Sequence, residues 1–393
     1  MGSVECRPAV ATVHRLDDPA ARALLAADPQ SLVSGATPIL VDEWQRFPQS
    51  WDVVRRAVDD GTGGGRFLLT GSAVPVEQPT HSGAGRIVTL RMRPLSLSER
   101  QRVPPTVSLA ELLTGARPAV SGSSLLRLAD YAEEIVASGL PDLREMSGRA
   151  RRARLDGYLA RIVERDFADQ RHALRDQAGL RRWMTAYAAA TATTASFKTI
   201  RAAATGAQGQ VPARSTALPY RQILEQLWIL DPVEAWLPTR NHIARLAAPP
   251  KHHVADPALA ARLLGADVGA LLDAAPLGPT LPRDGPLLGK LFESLVTLGV
   301  RVQAQAAEAR VGHLRTKGGE REIDLIVERA DHRVVAIEVK IGVTVEDRDV
   351  RHLHWLASML GPDLLDAVVV TTGSEAYRRR DGIAVVPAAL LRP

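Results

Sequence analysis

Two short apolar runs near the end of the chain constrain the fold more than any other stretch: Glu322-Ile323-Asp324-Leu325-Ile326-Val327 and Val334-Val335-Ala336-Ile337-Glu338-Val339-Lys340. Runs this short and this rich in β-branched residues predict buried strands. The Asp331-His332-Arg333 stretch between them predicts a hairpin turn. Asp324 is polar within an apolar strand, and an acid buried without a partner is costly, so something must compensate its charge. Glu338 and Lys340 lie two residues apart and project from the same face of their strand. A helix, Leu287 to Val302, precedes three apparent strands, another helix and a last strand, giving the order α-β-β-β-α-β. Glu293 sits on that first helix within Leu291-Phe292-Glu293-Ser294-Leu295-Val296, an acid on an otherwise apolar face.

Asp324, Glu338 and Lys340 are therefore expected to converge beside one sheet, with Glu293 able to complete the set. Cleavage of a phosphodiester by a metal ion needs such groups. Carboxylates hold one or two Mg²⁺, and a lysine orients or activates the water and steadies the negative transition state. Asp324 and Glu338 are the expected ligands, with the Val339 carbonyl a third, and Lys340 the assisting cation. The D-x13-E-x-K pattern resembles the PD-(D/E)xK nuclease superfamily, and the element order resembles its core. The plainer alternative is a set of surface ion pairs between adjacent strands, worth about 0–1 kcal/mol each.

Near the N-terminus a second pattern appears. Short apolar runs alternate with helix-like segments, as in Pro38-Ile39-Leu40-Val41-Asp42-Glu43, Trp51 to Val58, and Arg66-Phe67-Leu68-Leu69-Thr70-Gly71-Ser72. That alternation predicts a parallel sheet covered by helices. A buried strand ending in two acids is how P-loop NTPases hold a hydrated Mg²⁺ and polarise the attacking water. Asp42 would serve the metal, Glu43 the water, and Ser72 would contact the γ-phosphate or that water from the neighbouring strand. The competing role for Asp42 and Glu43 is capping of the next helix.

Taken in order, these segments resemble the AAA+ type ATPases of bacteria and archaea that carry a C-terminal domain of restriction-endonuclease-like fold. Leu16-Asp17-Asp18-Pro19 looks like the family's strand after its phosphate-binding helix, Val41-Asp42-Glu43-Trp44-Gln45-Arg46 like its Walker B segment, and Leu68-Leu69-Thr70-Gly71-Ser72 like its sensor strand. Gly85-Arg86 is similar to the turn whose arginine reaches a neighbouring subunit's nucleotide, which implies a homo-oligomer, and Gly139-Leu140-Pro141 resembles the lid signature. The resemblance implies ATP and Mg²⁺ as cofactors and DNA as partner. One departure stands against it: no G-x-x-x-x-G-K-S/T occurs, and Gly285 to Leu291 lacks the spacing and the hydroxyl after Lys290. A triphosphate needs that loop's N–H groups and lysine to replace water. The expectation is that the family's first strand, loop and helix lie upstream of this start or have been lost, and that this chain does not hydrolyse ATP.

Between the two patterns, from Leu125 to about Leu237, the periodicity is helical. Arg151 to Asp169 reads as a lid helix with a solvated basic face. Helices Leu180 to Thr191, Phe197 to Ala204 and Ser215 to Leu230, then Val233 to Trp236, follow the order of a winged helix-turn-helix. Thr216 as N-cap would put Pro219 in the first turn. Lys198, Arg214 and Arg221 are the candidate phosphate contacts, although such modules also serve as protein contacts. The histidines His252-His253, His313, His352 and His354 lack zinc spacing, so structural roles are expected.

The fold class expected is α/β. A partial AAA+ parallel sheet occupies residues 1–120, a helical lid 121–176, a winged-helix-like connector 177–277 and a PD-(D/E)xK nuclease-like α/β domain 278–393, after a linker at Gly278 to Pro286. With 49 basic against 44 acidic residues the net charge of +5 permits a nucleic-acid partner without demanding one. The single Cys6 cannot form an internal disulfide, and neither a signal-peptide core nor an apolar run of membrane length is present, so a cytoplasmic protein is expected. Two functions remain open: Mg²⁺-dependent action on DNA, and a non-catalytic regulatory protein that binds DNA or another subunit.

Overall fold

The structure, a computed structural model, describes residues 10–61, 63–72, 84–167, 176–205, 209–239, 248–272 and 285–393. Cys6, Asp169 and most of the Gly278 to Pro286 linker lie outside the described residues. The described residues pack as two compact units, the first formed by those within 1–92, 166–173 and 223–228, the second by the others.

The first unit holds β1 (Thr12–Arg15), α1 (Pro19–Ala27), β2 (Ile39–Asp42), α2 (Gln49–Asp59) and β3 (Phe67–Thr70). Its strands form a parallel sheet in the order β1-β2-β3. Asp18 caps α1 by accepting the Ala20 N–H, and Pro19 occupies the first turn, where a missing N–H is harmless. Leu16, Leu25, Ile39, Val41, Val53 and Val54 make the core, with Trp44 and Phe67 packed against it.

The second unit begins with β4 (Val107–Ser108), α3 (Leu109–Leu112) and β5 (Gly122–Ser123). Residues 93–120, expected within the AAA+ core, are packed here: β4 pairs with β12 (Leu391–Arg392), the last strand of the chain. Helices α4 (Leu128–Ala137), α5 (Pro141–Arg144), α6 (Gly148–Arg161), α7 (Gln177–Ala189), α8 (Phe197–Ala203), α9 (Arg214–Gln226, of which residues 223–226 belong to the first unit), α10 (Pro257–Leu263) and α11 (Val268–Leu272) follow. Gly139, at the lid-like signature, is a close-approach glycine: a Cβ there would stand 2.7 Å from Pro94 and 2.8 Å from the Leu95 backbone. One expectation is corrected. Helix α9 starts at Arg214, two residues before Thr216, so Pro219 lies inside it and not in its first turn.

After α9 the chain forms a short antiparallel ribbon in which residues 229–233 run beside 251–255, bridged at Leu230 to Val254 and Val233 to Lys251. Then come α12 (Gly285–Ala306), β6 (Arg310–Arg315), β7 (Glu322–Glu328), β8 (Val334–Lys340), α13 (Asp347–Leu360), β9 (Leu364–Thr371), β10 (Glu375–Arg378) and β11 (Ala384–Pro387). These strands and β5 form a seven-stranded mixed sheet in the order β5-β10-β11-β9-β8-β7-β6. The β7–β8 hairpin is antiparallel, whereas β8 and β9 run parallel through α13. The P-loop lookalike at Gly285 to Leu291 is the start of α12 and is helical. Val350, Leu353 and Leu356 of α13 pack on Ala336, Val334, Ile323 and Ile326 of the sheet. Among the described residues no helix is long and apolar enough to cross a membrane.

Candidate functional site

At the end of the parallel sheet, register places Asp42 directly beside Thr70. The Thr70 hydroxyl donates to Asp42 Oδ1 at 2.6 Å. Gln45 ties the next two candidates together, its amide donating to Glu43 Oε2 at 2.8 Å and to Ser72 Oγ at 3.2 Å. Glu43 turns the chain in the left-handed region, φ 55°, directly after the strand. Asp42, Glu43 and Ser72 are thus brought to one strand end. Arg86 is held by Asp59 of its own chain, Nε to Oδ1 2.7 Å. Acids and hydroxyls of this kind suit a hydrated cation, but the 393 residues contain no phosphate-cradling loop motif to hold a nucleotide beside them.

A second charged cluster forms where α12 and β7 meet the ribbon, and its centre is a residue that the sequence did not single out. Lys251 is completely buried. Its backbone N–H and C=O are both bonded to Val233, at 2.8 and 2.9 Å, which aims the side chain inward. The ammonium donates to Glu293 Oε1 at 2.8 Å and Asp324 Oδ1 at 3.0 Å, and lies 3.4 Å from Glu322 Oε1. Asp324 Oδ2 accepts the Val339 N–H at 2.9 Å. Asp324 sits at an irregularity in register: Gly312 pairs with Ile326 and Leu314 with Ile323, so β7 carries one extra residue here. Such a bulge re-aims one side chain.

Glu338 and Lys340 continue the face of Ala336, toward α13. Lys340 Nζ donates to Glu338 Oε1 at 2.6 Å, while Glu338 Oε2 is buried without a partner among the described residues. A cavity of about 200 Å³ opens beside them, lined by Glu338, Lys340, Arg348, Asp349, Arg351 and His352. Instead of one pocket shared by Asp324, Glu338, Lys340 and Glu293, there are two adjoining groups. Asp324 and Glu293 meet on Lys251, Glu338 meets Lys340, and the Val339 N–H links them.

The electrostatics follow from burial. It pushes Glu293 and Glu338 up to about 8, with the Asp324 charge adding to both and Lys251 and Lys340 opposing. Burial acts the same way on Asp324, but Lys251, Lys340 and the Val339 N–H outweigh it and hold that carboxyl below its usual range. Desolvation would lower Lys251, yet the Asp324 and Glu293 carboxylates keep it above the ordinary lysine range. Several acids surrounding one ammonium cannot all ionise readily in a buried site, so Glu293 and Glu338 are raised while Asp324 is held down.

A divalent cation does not fit this centre as the residues stand. Both oxygens of Asp324 are engaged, an ammonium lies among the carboxylates, and among the described residues no group of three or more His, Cys, Asp or Glu is arranged to hold a metal ion. Asp324 and Glu338, the expected ligands, are ion-paired with Lys251 and Lys340. The histidines are engaged structurally: His252 contacts the Ala195 carbonyl at 2.8 Å, His253 the Ser294 hydroxyl at 3.2 Å and His313 the Pro249 carbonyl at 3.1 Å. Nothing in the Pro249-Pro250-Lys251-His252-His253 pattern marks Lys251 as buried. The signal was indirect, in the charge that Asp324 required of some partner.

Comparison with known proteins agrees with the N-terminal geometry. Residues 7–101 match the model of an AAA domain family, residues 128–269 a domain of unknown function (DUF8612) and residues 288–391 a domain of unknown function (DUF4143). The N-terminal segment is AAA-like. An uncharacterized protein of Mycobacterium tuberculosis and one of Mycobacterium bovis are each 26% identical to this chain over 367 residues, 92% of its length and 71% of theirs. No solved structure matches. The AAA-like segment and the mixed α/β C-terminal domain together support an ATPase-type protein of two differing α/β parts.

Proposed function

We propose that this AAA-like ATPase-type protein engages DNA through its C-terminal α/β domain, at the end of β8, without cutting it. The cavity there carries the reading: Lys340, Arg348, Arg351 and His352 line it against only Glu338 and Asp349. Phosphate contacts of this kind position a protein on a duplex and make binding fall with salt. Exposed Lys198 and Arg214 would add contacts from the helical part. Asp42 and Glu43 would act on nucleotide once phosphates are held beside them, and this chain by itself is expected not to turn ATP over.

Mobility shift of labelled duplex DNA in EDTA tests the proposal. Wild type should shift the DNA, and Lys340→Ala with Arg351→Ala should weaken binding about tenfold or more and flatten the salt dependence. Equal binding by wild type and variant removes the assignment of this surface. Cutting of DNA in Mg²⁺ that vanishes in Asp324→Ala would replace the proposal with a hydrolase acting on nucleic acid. Nucleotide turnover abolished by Glu43→Gln would overturn the expectation for ATP.

A further inference from the structure

We propose that Lys251 is the resident cation of the Asp324 centre: its ammonium takes the position a divalent ion would need, so the C-terminal domain works without metal. This deepens the DNA-binding reading by assigning the same region its cation, and it rests on geometry independent of the cavity.

An ammonium has three N–H donors and no acceptor. Lys251 faces acceptors contributed by two elements: Glu293 of α12 at 2.8 Å, and Asp324 and Glu322 of β7 at 3.0 and 3.4 Å. Two of its donors are hydrogen-bonded, to Glu293 and Asp324, and the Glu322 carboxylate stands beside it as an ion pair. A magnesium ion among the same oxygens would demand about 2.0–2.1 Å to each ligand in near-octahedral geometry. It cannot share that volume with Nζ. Lys251 would have to leave, and its main chain is fixed on both sides by Val233, with the ammonium fully enclosed. Asp324 is committed in the same way, since its second oxygen holds the Val339 N–H. Withdrawing either partner leaves an uncompensated charge inside the protein, the costliest change available to a buried ion pair. The lysine comes from the ribbon, and the acids from the helix and strand behind it. The ion pair therefore also fastens the middle of the chain to the α/β sheet of the second unit.

Two measurements on the full chain decide this. In the first, wild-type protein is loaded with Fe²⁺ in place of Mg²⁺ and treated with ascorbate and peroxide, and hydroxyl-radical cuts are mapped by mass spectrometry. No cuts are expected close to residues 293, 322–324 or 338–340, and metal-dependent cuts there would overturn the proposal without any variant being made. In the second, Mn²⁺ binding is counted by electron paramagnetic resonance. Asp324→Asn should leave the wild-type count unchanged, because any Mn²⁺ bound belongs elsewhere. Lys251→Met should gain about one Mn²⁺, lost again in the Lys251→Met, Asp324→Asn double variant. A wild-type count that drops by one in Asp324→Asn overturns the proposal, as does a folded Lys251→Met protein that gains none. If Lys251→Met does not fold, the radical mapping still decides. The mobility shift in EDTA is scored separately, so metal bound at Asp324 with DNA binding intact sinks this inference alone. Loss of DNA binding with no metal at Asp324 sinks only the reading it rests on.

Discussion

Asp42 and Asp324 end up in opposite circumstances, although each is an acid in an apolar strand. Asp42 meets a neutral hydroxyl, that of Thr70, on a partly exposed strand end, with Glu43 and Ser72 linked through Gln45 nearby. Asp324 is buried, and both of its oxygens are occupied by an ammonium and a backbone N–H. In the first arrangement no side-chain cation is paired with Asp42 among the described residues, whereas the second already contains one. An acid in an apolar strand therefore does not define its own chemistry. What decides it is the charge that the rest of the fold delivers to it.

The difference is easiest to break at Lys251. Replacing it by Met leaves Glu293, Glu322 and Asp324 facing one another without their cation, and should cost about 3–5 kcal/mol in urea unfolding at neutral pH. Glu43→Gln, at the open strand end, should change stability by less than about 0.5 kcal/mol. Comparable losses from the two substitutions would mean that the two acids are not distinguished by their surroundings.

Titration sharpens the same contrast. Glu293 and Glu338 ionise near 8 in the folded protein against 4.5 in an open chain, so the folded state binds more protons between those values. Their contribution to stability is complete below pH 4.5, declines as pH rises, and is gone above about 8. Asp324 acts in the other direction: its carboxyl is depressed below 3.8, and its contribution is lost only as the solution becomes more acid than that. Glu293→Gln copies the protonated form, so it should flatten the decline toward pH 8 and leave the protein more stable than wild type at pH 9. Urea midpoints measured across this range would refute the assignment if wild type and variant fell in parallel.

How much of this could be seen in the sequence depends on the range over which each signal acts. The β7 and β8 strands and the turn between them follow from local apolar runs, and the pairing of β2 with β3 follows from two runs in a parallel α/β alternation. Asp324, Glu293, Glu338 and Lys340 stand out because a charge in an apolar run needs a reason. Which partner each would take was not legible. The bulge at Asp324 depends on β6, and Lys251 arrives from a ribbon 73 residues away. Pro219 shows the limit even locally: helix α9 starts ahead of the expected Thr216 cap, so the proline lies inside a helix that a cap rule would have begun later.

A smaller effect is expected at the open strand end. Thr70→Val removes the hydroxyl that donates to Asp42 while keeping a β-branched shape suited to the strand. The lost hydrogen bond is worth about 1 kcal/mol, and Asp42 can turn to water. A loss above about 3 kcal/mol would show that Asp42 is as dependent on its partner as Asp324 is on Lys251.

Arg86 should produce the smallest change, and it tests what this arginine is free to do. Its side chain is 47% exposed and is paired with Asp59, 34% exposed, within its own chain. Water and salt screen such a pair, and holding two flexible side chains together offsets most of the gain. Arg86→Ala should therefore move the melting temperature by no more than about 1 °C, and added salt should not change that result. The pair matters more for direction than for stability. While Asp59 holds the guanidinium, Arg86 is not reaching out to a neighbouring subunit, so Asp59→Asn, which also removes the ion pair of Asp59 with Arg55, should free it at a cost to the fold of less than about 1 kcal/mol. If assembly of the protein, followed by sedimentation, then responds to Asp59→Asn but not to a control substitution such as Asp60→Asn, the arginine acts between subunits. If the two variants sediment alike, its contact with Asp59 is its whole role.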